Sequence, residues 1–322
     1  KIMELSILAA AGFCLAAYSV VANDSIQTLG TFLSSNKKVD WRWIWFFIAG
    51  ILVVTVTYSW FVNGGDISSG RLDKIPLPPG GIQWYHVAAP AVLLFLTRFG
   101  FPVSTTFLVL SVFASTVIFE KMLIKSMAGY AVAAVFAYAA WFLISKFFNE
   151  RKKIKNETHK KLWRMAQWGA TGFLWIQWLM HDMANIAVFL PRQLSFWHLL
   201  FVLAVFTIGL GFTLRSRGGK IQDVVLNKSG TRFVRSATIV DIVYAITLLV
   251  FKEWSDIPMS TTWVFVGLLC GRELAVHSLY NPGEKAIKAV WPIIAKDFIK
   301  ILVGLAVSVG LVLLIKFVFE GS

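Results

Sequence analysis

The sequence predicts an all-α polytopic membrane protein made of two inverted-topology repeats. Each repeat has about five transmembrane segments, with broken or re-entrant helices at recurring polar motifs. Three observations predict this. Of 322 residues, 57% are hydrophobic and only 15% charged, with mean hydropathy +0.69; soluble domains carry about 25% charged residues. Apolar stretches of roughly 17–25 residues recur along the chain, the length a helix needs to cross a bilayer. They do not alternate apolar with polar residues, which excludes a β-barrel. Finally, two polar motifs each occur twice, at nearly one spacing.

The first motif is Val21-Ala22-Asn23-Asp24-Ser25-Ile26-Gln27-Thr28, matched by His181-Asp182-Met183-Ala184-Asn185. The second is Pro102-Val103-Ser104-Thr105-Thr106, matched by Pro258-Met259-Ser260-Thr261-Thr262. Asp24 and Asp182 lie 158 residues apart, and Ser104 and Ser260 lie 156 apart. Two unrelated motifs at one offset point to a duplicated half.

In chain order, span 1 runs from about Ile2 to Ala22, is interrupted by the first motif and continues to Leu33. No cleavable signal peptide is expected there, because the stretch lacks a basic n-region and a small-residue cleavage site. Span 2 covers about Trp43 to Val62. A loop rich in Gly and Pro follows, then span 3 at about Trp84 to Leu96. The Ser-Thr-Thr motif opens span 4, about Ser104 to Phe119, and span 5 is about Met127 to Phe147. Residues 150–164 are strongly basic and lack an apolar stripe, so they read as a solvated linker. Repeat one is then 1–149 and repeat two 165–322. Spans 6 to 10 cover about Trp168–Met180, Phe196–Leu214, Ser236–Phe251, Ser260–Leu269 and Phe298–Phe319. Residues Arg272 to Lys296 read as an amphipathic interfacial segment.

The net charge of +14 does not signal nucleic-acid binding. Its Lys and Arg concentrate in short loops between spans, as the positive-inside rule requires. An odd number of spans per half sends the second half in from the opposite side. With the linker 150–164 cytoplasmic, the basic loops at 35–42, 213–235 and 271–297 are cytoplasmic too. The nearly balanced loops at 63–81 and 252–257, and both termini, fall outside. Cys14 and Cys270 both lie in apolar spans and suggest neither a disulfide framework nor a zinc site.

A carboxylate within the bilayer is costly unless it is paired or coordinates a cation. Asp24 and Asp182 each have amides or hydroxyls close by, and hard cations such as sodium favour oxygen ligands. A helix break at the motif would also free backbone carbonyls. The alternative is a polar pair that holds helices together. Proline followed by Ser or Thr signals a helix start, whose unpaired N–H groups and positive dipole end suit an anion. The alternative there is an ordinary N-cap. Asp241 and His86 stand at roughly equivalent positions before the two Ser-Thr-Thr motifs; either could carry protons or pair with a neighbouring donor, and the alternative is a satisfied structural polar residue. His181 could carry protons or bond substrate.

These motifs resemble the inorganic phosphate transporter family of sodium- or proton-coupled permeases, over nearly the whole chain. That family carries Gly-Ala-Asn-Asp-Val-Ala-Asn and a Pro-Val-Ser-Thr-Thr-His-type motif in both halves. Asn23 and Asp24 match the first Asn-Asp, and Gln27 stands where a later Asn is expected. His181 replaces the first Asn of the second copy, Asp182 matches its Asp, and Asn185 its later Asn. Phe107 and Trp263 replace the His that follows each Ser-Thr-Thr. The stretch Gly230 to Gly271, with Asp241, is similar to a second signature region. The resemblance implies a coupling cation (Na+ or H+) at Asn23, Asp24, Asp182 and Asn185. It implies phosphate at Ser104, Thr105, Thr106, Ser260, Thr261 and Thr262, with His181 and Gln27 beside it.

The expected function is cation-coupled import of inorganic phosphate by alternating access. A sulfate permease of the same fold is the runner-up. A membrane-embedded lipid-phosphate enzyme and a non-transporting receptor are weaker alternatives. No catalytic residues and no cofactor are expected. The expected partners are phosphate or sulfate, a monovalent cation and the lipid bilayer of the cell membrane, with a homodimer as the assembly to test.

Overall fold

A computed structural model describes residues 5–99, 103–147, 157–218, 222, 233–280 and 284–320. Its helices are α1 (Ile7–Ser35), α2 (Trp41–Val62), α3 (Ala88–Arg98), α4 (Thr116–Phe147), α5 (Glu157–Asp182), α6 (Ala184–Ala187), α7 (Phe196–Arg215), α8 (Val234–Trp254), α9 (Thr261–Tyr280) and α10 (Glu284–Ile315). Short π-helical turns occur at Thr106–Leu110 and Lys316–Glu320. Among the described residues, six helical stretches are long and apolar enough to cross a membrane, so this is a multi-pass membrane protein.

Local sequence sets the helix starts. Ser6, Asp40 and Ser195 cap α1, α2 and α7, each side chain accepting a bond from a backbone N–H of the first turn. On α2, Trp43, Phe46, Val54 and Phe61 are exposed, as a lipid-facing stripe requires. By contrast, α1 is buried continuously from Asn23 to Ser34 and stands at the centre.

The packing repeats between the halves. α1 packs on α3 as α5 packs on α8, and α1 packs on α7 as α5 packs on α2. α9 packs on α4 as the Thr106–Leu110 turn packs on α10, while α2 and α7 pack on each other. Each of these pairs exchanges with its counterpart when the halves are swapped. The fold is thus the expected pair of inverted repeats with five elements each.

Several element boundaries differ from expectation. α1 passes through the first motif without a break, so no backbone carbonyls are freed there. The break occurs at the second motif, where α5 ends at Asp182 and α6 begins at Ala184. The first Ser-Thr-Thr copy does not open a membrane-crossing helix. It leads into a five-residue π-turn, and the long helix starts later, at Thr116. α3 has 11 residues, about 16 Å at 1.5 Å per residue, half the hydrocarbon thickness. Neither it nor the π-turn is long enough to cross the bilayer as a helix by itself. Residues 157–164, expected in a solvated linker, form the first two turns of α5. The rest of that linker up to residue 156, Pro102, and most of the basic loop 215–235 lie outside the described residues. The expected interfacial segment is instead split between α9 and α10, with Arg272 buried against Glu273 at 2.7 Å.

Candidate functional site

The four motif copies converge at the centre of the bundle. In the second half, the Thr261 hydroxyl donates to Asp182 Oδ2 at 2.6 Å, and Asn185 Nδ2 donates to Asp182 Oδ1 at 2.7 Å. In the first half, Asn23 Nδ2 donates to Asp24 Oδ1 and, at 2.8 Å, to the Val103 carbonyl. Gln27 Nε2 donates to Asn23 Oδ1 at 3.1 Å. The equivalent of Thr261 is Thr105, whose hydroxyl faces Asp24 without closing a hydrogen bond. The halves are tied together by Thr106, which donates to the Met259 carbonyl at 3.2 Å.

Both aspartates are buried and lie within electrostatic reach of each other. Tyr244 lies beside them, donating to the Thr261 carbonyl at 2.9 Å. Like charges this deep need a compensating cation or proton.

Gln27 and Asn185 occupy equivalent positions, three residues after each Asp. Each spends its amide nitrogen on a neighbouring oxygen, which fixes the amide orientation. Each is left with a buried amide oxygen that has no hydrogen-bond partner. Orphaned buried acceptors are rare and cost about 1–3 kcal/mol each. Two of them beside two carboxylates make a set of oxygen ligands for a hard cation. Gln27, expected beside the substrate, thus offers a free acceptor oxygen, while its amide nitrogen is already used.

Ser104 and Ser260 act as N-caps: Phe107 N donates to Ser104 Oγ at 3.3 Å, and Trp263 N to Ser260 Oγ at 3.2 Å. The capping reading thus holds for both serines, and each hydroxyl keeps its own proton to donate. Thr262 is buried beside them.

His181 behaves unlike Asn23, the residue it replaces. Its Nε2 bonds the Leu248 carbonyl at 2.8 Å, so that nitrogen carries the proton, and its buried Nδ1 has no partner. The bridge that Asn23 makes to Val103 has no His181 counterpart at Met259, whose carbonyl takes Thr106 instead.

Asp241 is fully buried and paired. Thr31 donates to its Oδ1 and Thr171 to its Oδ2, both at 2.5 Å, joining α1, α5 and α8. His86 is not its counterpart. It lies in the turn before α3, where its Nδ1 accepts from Gln83 N at 2.9 Å and its ring stacks on Phe113 at 4.9 Å. A nitrogen that accepts carries no proton, so the His86 ring is neutral.

Two arginines in connecting segments escaped the sequence reading. Arg71, buried in the loop after α2, donates through Nε to the Met180 carbonyl at 2.8 Å, and its Nη2 lies 3.5 Å from His181 Nε2. Arg192 donates to the Ile75 carbonyl at 2.7 Å and to the Leu190 carbonyl at 3.1 Å, just after α6. Both occupy carbonyls next to the break between α5 and α6. Burial draws each guanidinium down to about 10, which leaves both charged at neutral pH. The available signal was the apolar spacing of Ile67, Leu72 and Ile75, which bury the loop that carries Arg71.

No family model matches the sequence, and no curated protein sequence does either. A solved structure described as "The sodium-dependent phosphate transporter" is similar over 97% of this chain and 99% of its own, at 17% identity and TM-score 0.57. The chain has that transporter's fold. The match extends through both halves of the chain.

Proposed function

We propose that this chain is a secondary active transporter that imports inorganic phosphate together with a cation, sodium in preference to a proton. The observation that carries the reading is the matched pair of orphaned amide oxygens, Gln27 Oε1 and Asn185 Oδ1, beside the buried Asp24 and Asp182. A bound cation would satisfy both oxygens and relieve the repulsion between the carboxylates. Asn23 orients Asp24 in this scheme, and Thr261 orients Asp182. Thr105, Thr106 and Thr262, with the hydroxyl protons of Ser104 and Ser260, are the donors offered to the anion. The positive end of α9 faces the same region. Cation binding lowers the negative charge that would otherwise repel phosphate, which couples the two ligands.

The solved transporter of the same fold is described as sodium-dependent and phosphate-carrying, which supports both choices of ligand. In this reading the protein lies in the cell membrane with residues 150–164 cytoplasmic and both termini outside. The halves rock about the central site to alternate access.

Uptake of radiolabelled phosphate into proteoliposomes, under a sodium gradient, a proton gradient or none, tests the proposal. Accumulation is expected with sodium and resists excess sulfate. Gradient-driven accumulation of sulfate in place of phosphate would move the assignment to a sulfate permease. No gradient-driven uptake of either anion would refute transport.

A further inference from the structure

A second basic feature lies outside the motif site. A cavity of about 200 Å³ opens between α4 and the segment after α8, lined by Lys121, Ile124, Lys125, Trp254, Ser255 and Ile257. That volume is several times the share of one water molecule, about 30 Å³. Lys125 is 4% exposed, although it sits on a membrane-crossing helix. Its ammonium donates to the Ser255 carbonyl and, at 2.8 Å, to the Ile257 carbonyl. Arg71 Nη1 approaches that same Ile257 oxygen from the other side, at 3.5 Å. Two buried cations thus converge on one carbonyl.

Neither cation has a carboxylate as ion-pair partner among the described residues. The buried Asp182 carboxylate acts on Arg71, and the exposed Asp256 acts on both cations, each without an ion-pair contact; Lys125 has no buried carboxylate of its own, and Lys74 adds a further positive charge near it. Backbone carbonyls solvate a cation but do not neutralise it. The ammonium has three N–H donors and two are used, which leaves one for a ligand. Asp182 offsets part of the Arg71 charge, which leaves the buried Lys125 ammonium as the charge that an anion in the pocket would neutralise.

We propose that this pocket is an oxyanion-binding site, separate from the motif site, with Lys125 as its principal ligand, Lys121 at its rim and Arg71 behind its wall. The ligand class is a phosphate-type oxyanion, either free phosphate or the phosphate of a lipid headgroup. Arg71 also contacts Met180 and His181, next to Asp182, so the pocket adjoins the central site through one side chain. The pocket extends the transport reading and rests on it only for the direction of passage. With the loops at 63–81 and 252–257 outside, it is where the anion first binds.

Equilibrium binding of labelled inorganic phosphate to the purified full chain, at low salt and without sodium, tests the site. Thr105→Val serves as the background, because it removes a donor that the central site offers to the anion and breaks no hydrogen bond of the protein. Saturable binding should persist in that background and weaken at least tenfold in Lys125→Gln, the loss of one charge-assisted contact. Lys125→Arg should retain it. Lys121→Gln lies on an exposed position and reports the same site without disturbing the fold; it should weaken binding severalfold. Phosphatidylglycerol nanodiscs separate the sources: lysine-dependent competition by the lipid identifies a headgroup, and its absence identifies free phosphate. No saturable binding, or binding indifferent to both lysine substitutions, overturns the site. Lysine-dependent binding without uptake would leave the pocket standing and sink the transport reading; uptake with lysine-independent binding would do the reverse.

Discussion

The Thr261 hydroxyl donates to Asp182 Oδ2 at 2.6 Å, while its repeat-equivalent Thr105 faces Asp24 without completing the same bond. The two halves therefore hold their aspartates differently. The second is fixed by two donors from the protein, Thr261 and Asn185. The first takes a donor only from its neighbour Asn23. Replacing Thr261 by Val removes a bond to a charged group, about 1.5–3 kcal/mol. We expect the apparent sodium affinity in phosphate uptake to fall about tenfold or more. Thr261→Ser should restore most of it. Equal sodium dependence in the wild type and Thr261→Val would show that this bond does not position a coupling ligand.

Asp24→Asn and Asp182→Asn should each abolish coupled uptake while leaving the protein folded. Asparagine keeps the shape and removes the charge, so melting in detergent should change little while accumulation stops. Full uptake in both variants would remove the cation role from these residues.

The close packing of α4 on α9 rests on two glycines. A Cβ built on Gly267 would lie 2.2 Å from the Tyr130 carbonyl oxygen, and one on Gly271 would lie 1.9 Å from the Ala134 carbonyl oxygen. The four-residue spacing puts both on one face, where small residues let helix backbones meet. The obstacle is backbone, which cannot rotate away. Gly267→Ala and Gly271→Ala should each destabilise the folded protein by about 1–3 kcal/mol or more. Gly310→Ala is the control, since no atom lies within 4 Å of its added Cβ. Thermal melting in detergent should show the two losses and no change at Gly310.

These glycines were not legible as a contact, whereas the repeats were. The duplicated motifs survive because each copy supplies chemistry that no apolar residue replaces, and their common offset fixes the two halves. Span lengths were legible where hydrophobicity alone decides them, as for Trp41–Val62 and Phe196–Arg215. The break between α5 and α6 was less so, because it depends on Arg71 and Arg192 reaching in from loops. One arginine among 31 basic residues carries no local mark of burial. α1 stays continuous through its polar stretch for a related reason. Ser25 bonds back to the Val21 carbonyl, and Gln27 to Asn23 one turn earlier, so those side chains are accommodated without breaking the helix.

Asp241 supports a prediction about stability rather than transport. Each of its oxygens accepts one threonine hydroxyl, and the two threonines come from the two central helices. Thr31→Val and Thr171→Val should each cost about 1.5–3 kcal/mol, the value of a bond to a charged group. Because both act on one carboxylate, their effects should not add. A double-mutant cycle with Asp241→Asn measures that coupling. Independent, additive losses below about 0.5 kcal/mol would mean the junction contributes little.

Arg71 gives the loop after α2 its hold on the second motif. Its guanidinium satisfies the Met180 carbonyl at the end of α5, and the loop around it buries Ile67, Leu72 and Ile75. Arg71→Lys keeps the charge but loses the fork that reaches Met180, Ile257 and His181 together. The loop should then open more often, and amide exchange across residues 66–75 should quicken at least tenfold, as expected if about 1.4 kcal/mol or more of local stability is lost. The rest of the bundle should exchange as before, because α2 and α7 pack on each other without this loop. Faster exchange throughout the chain would instead make Arg71 a determinant of the whole fold. Unchanged exchange in the loop would mean that its apolar residues hold it without the arginine.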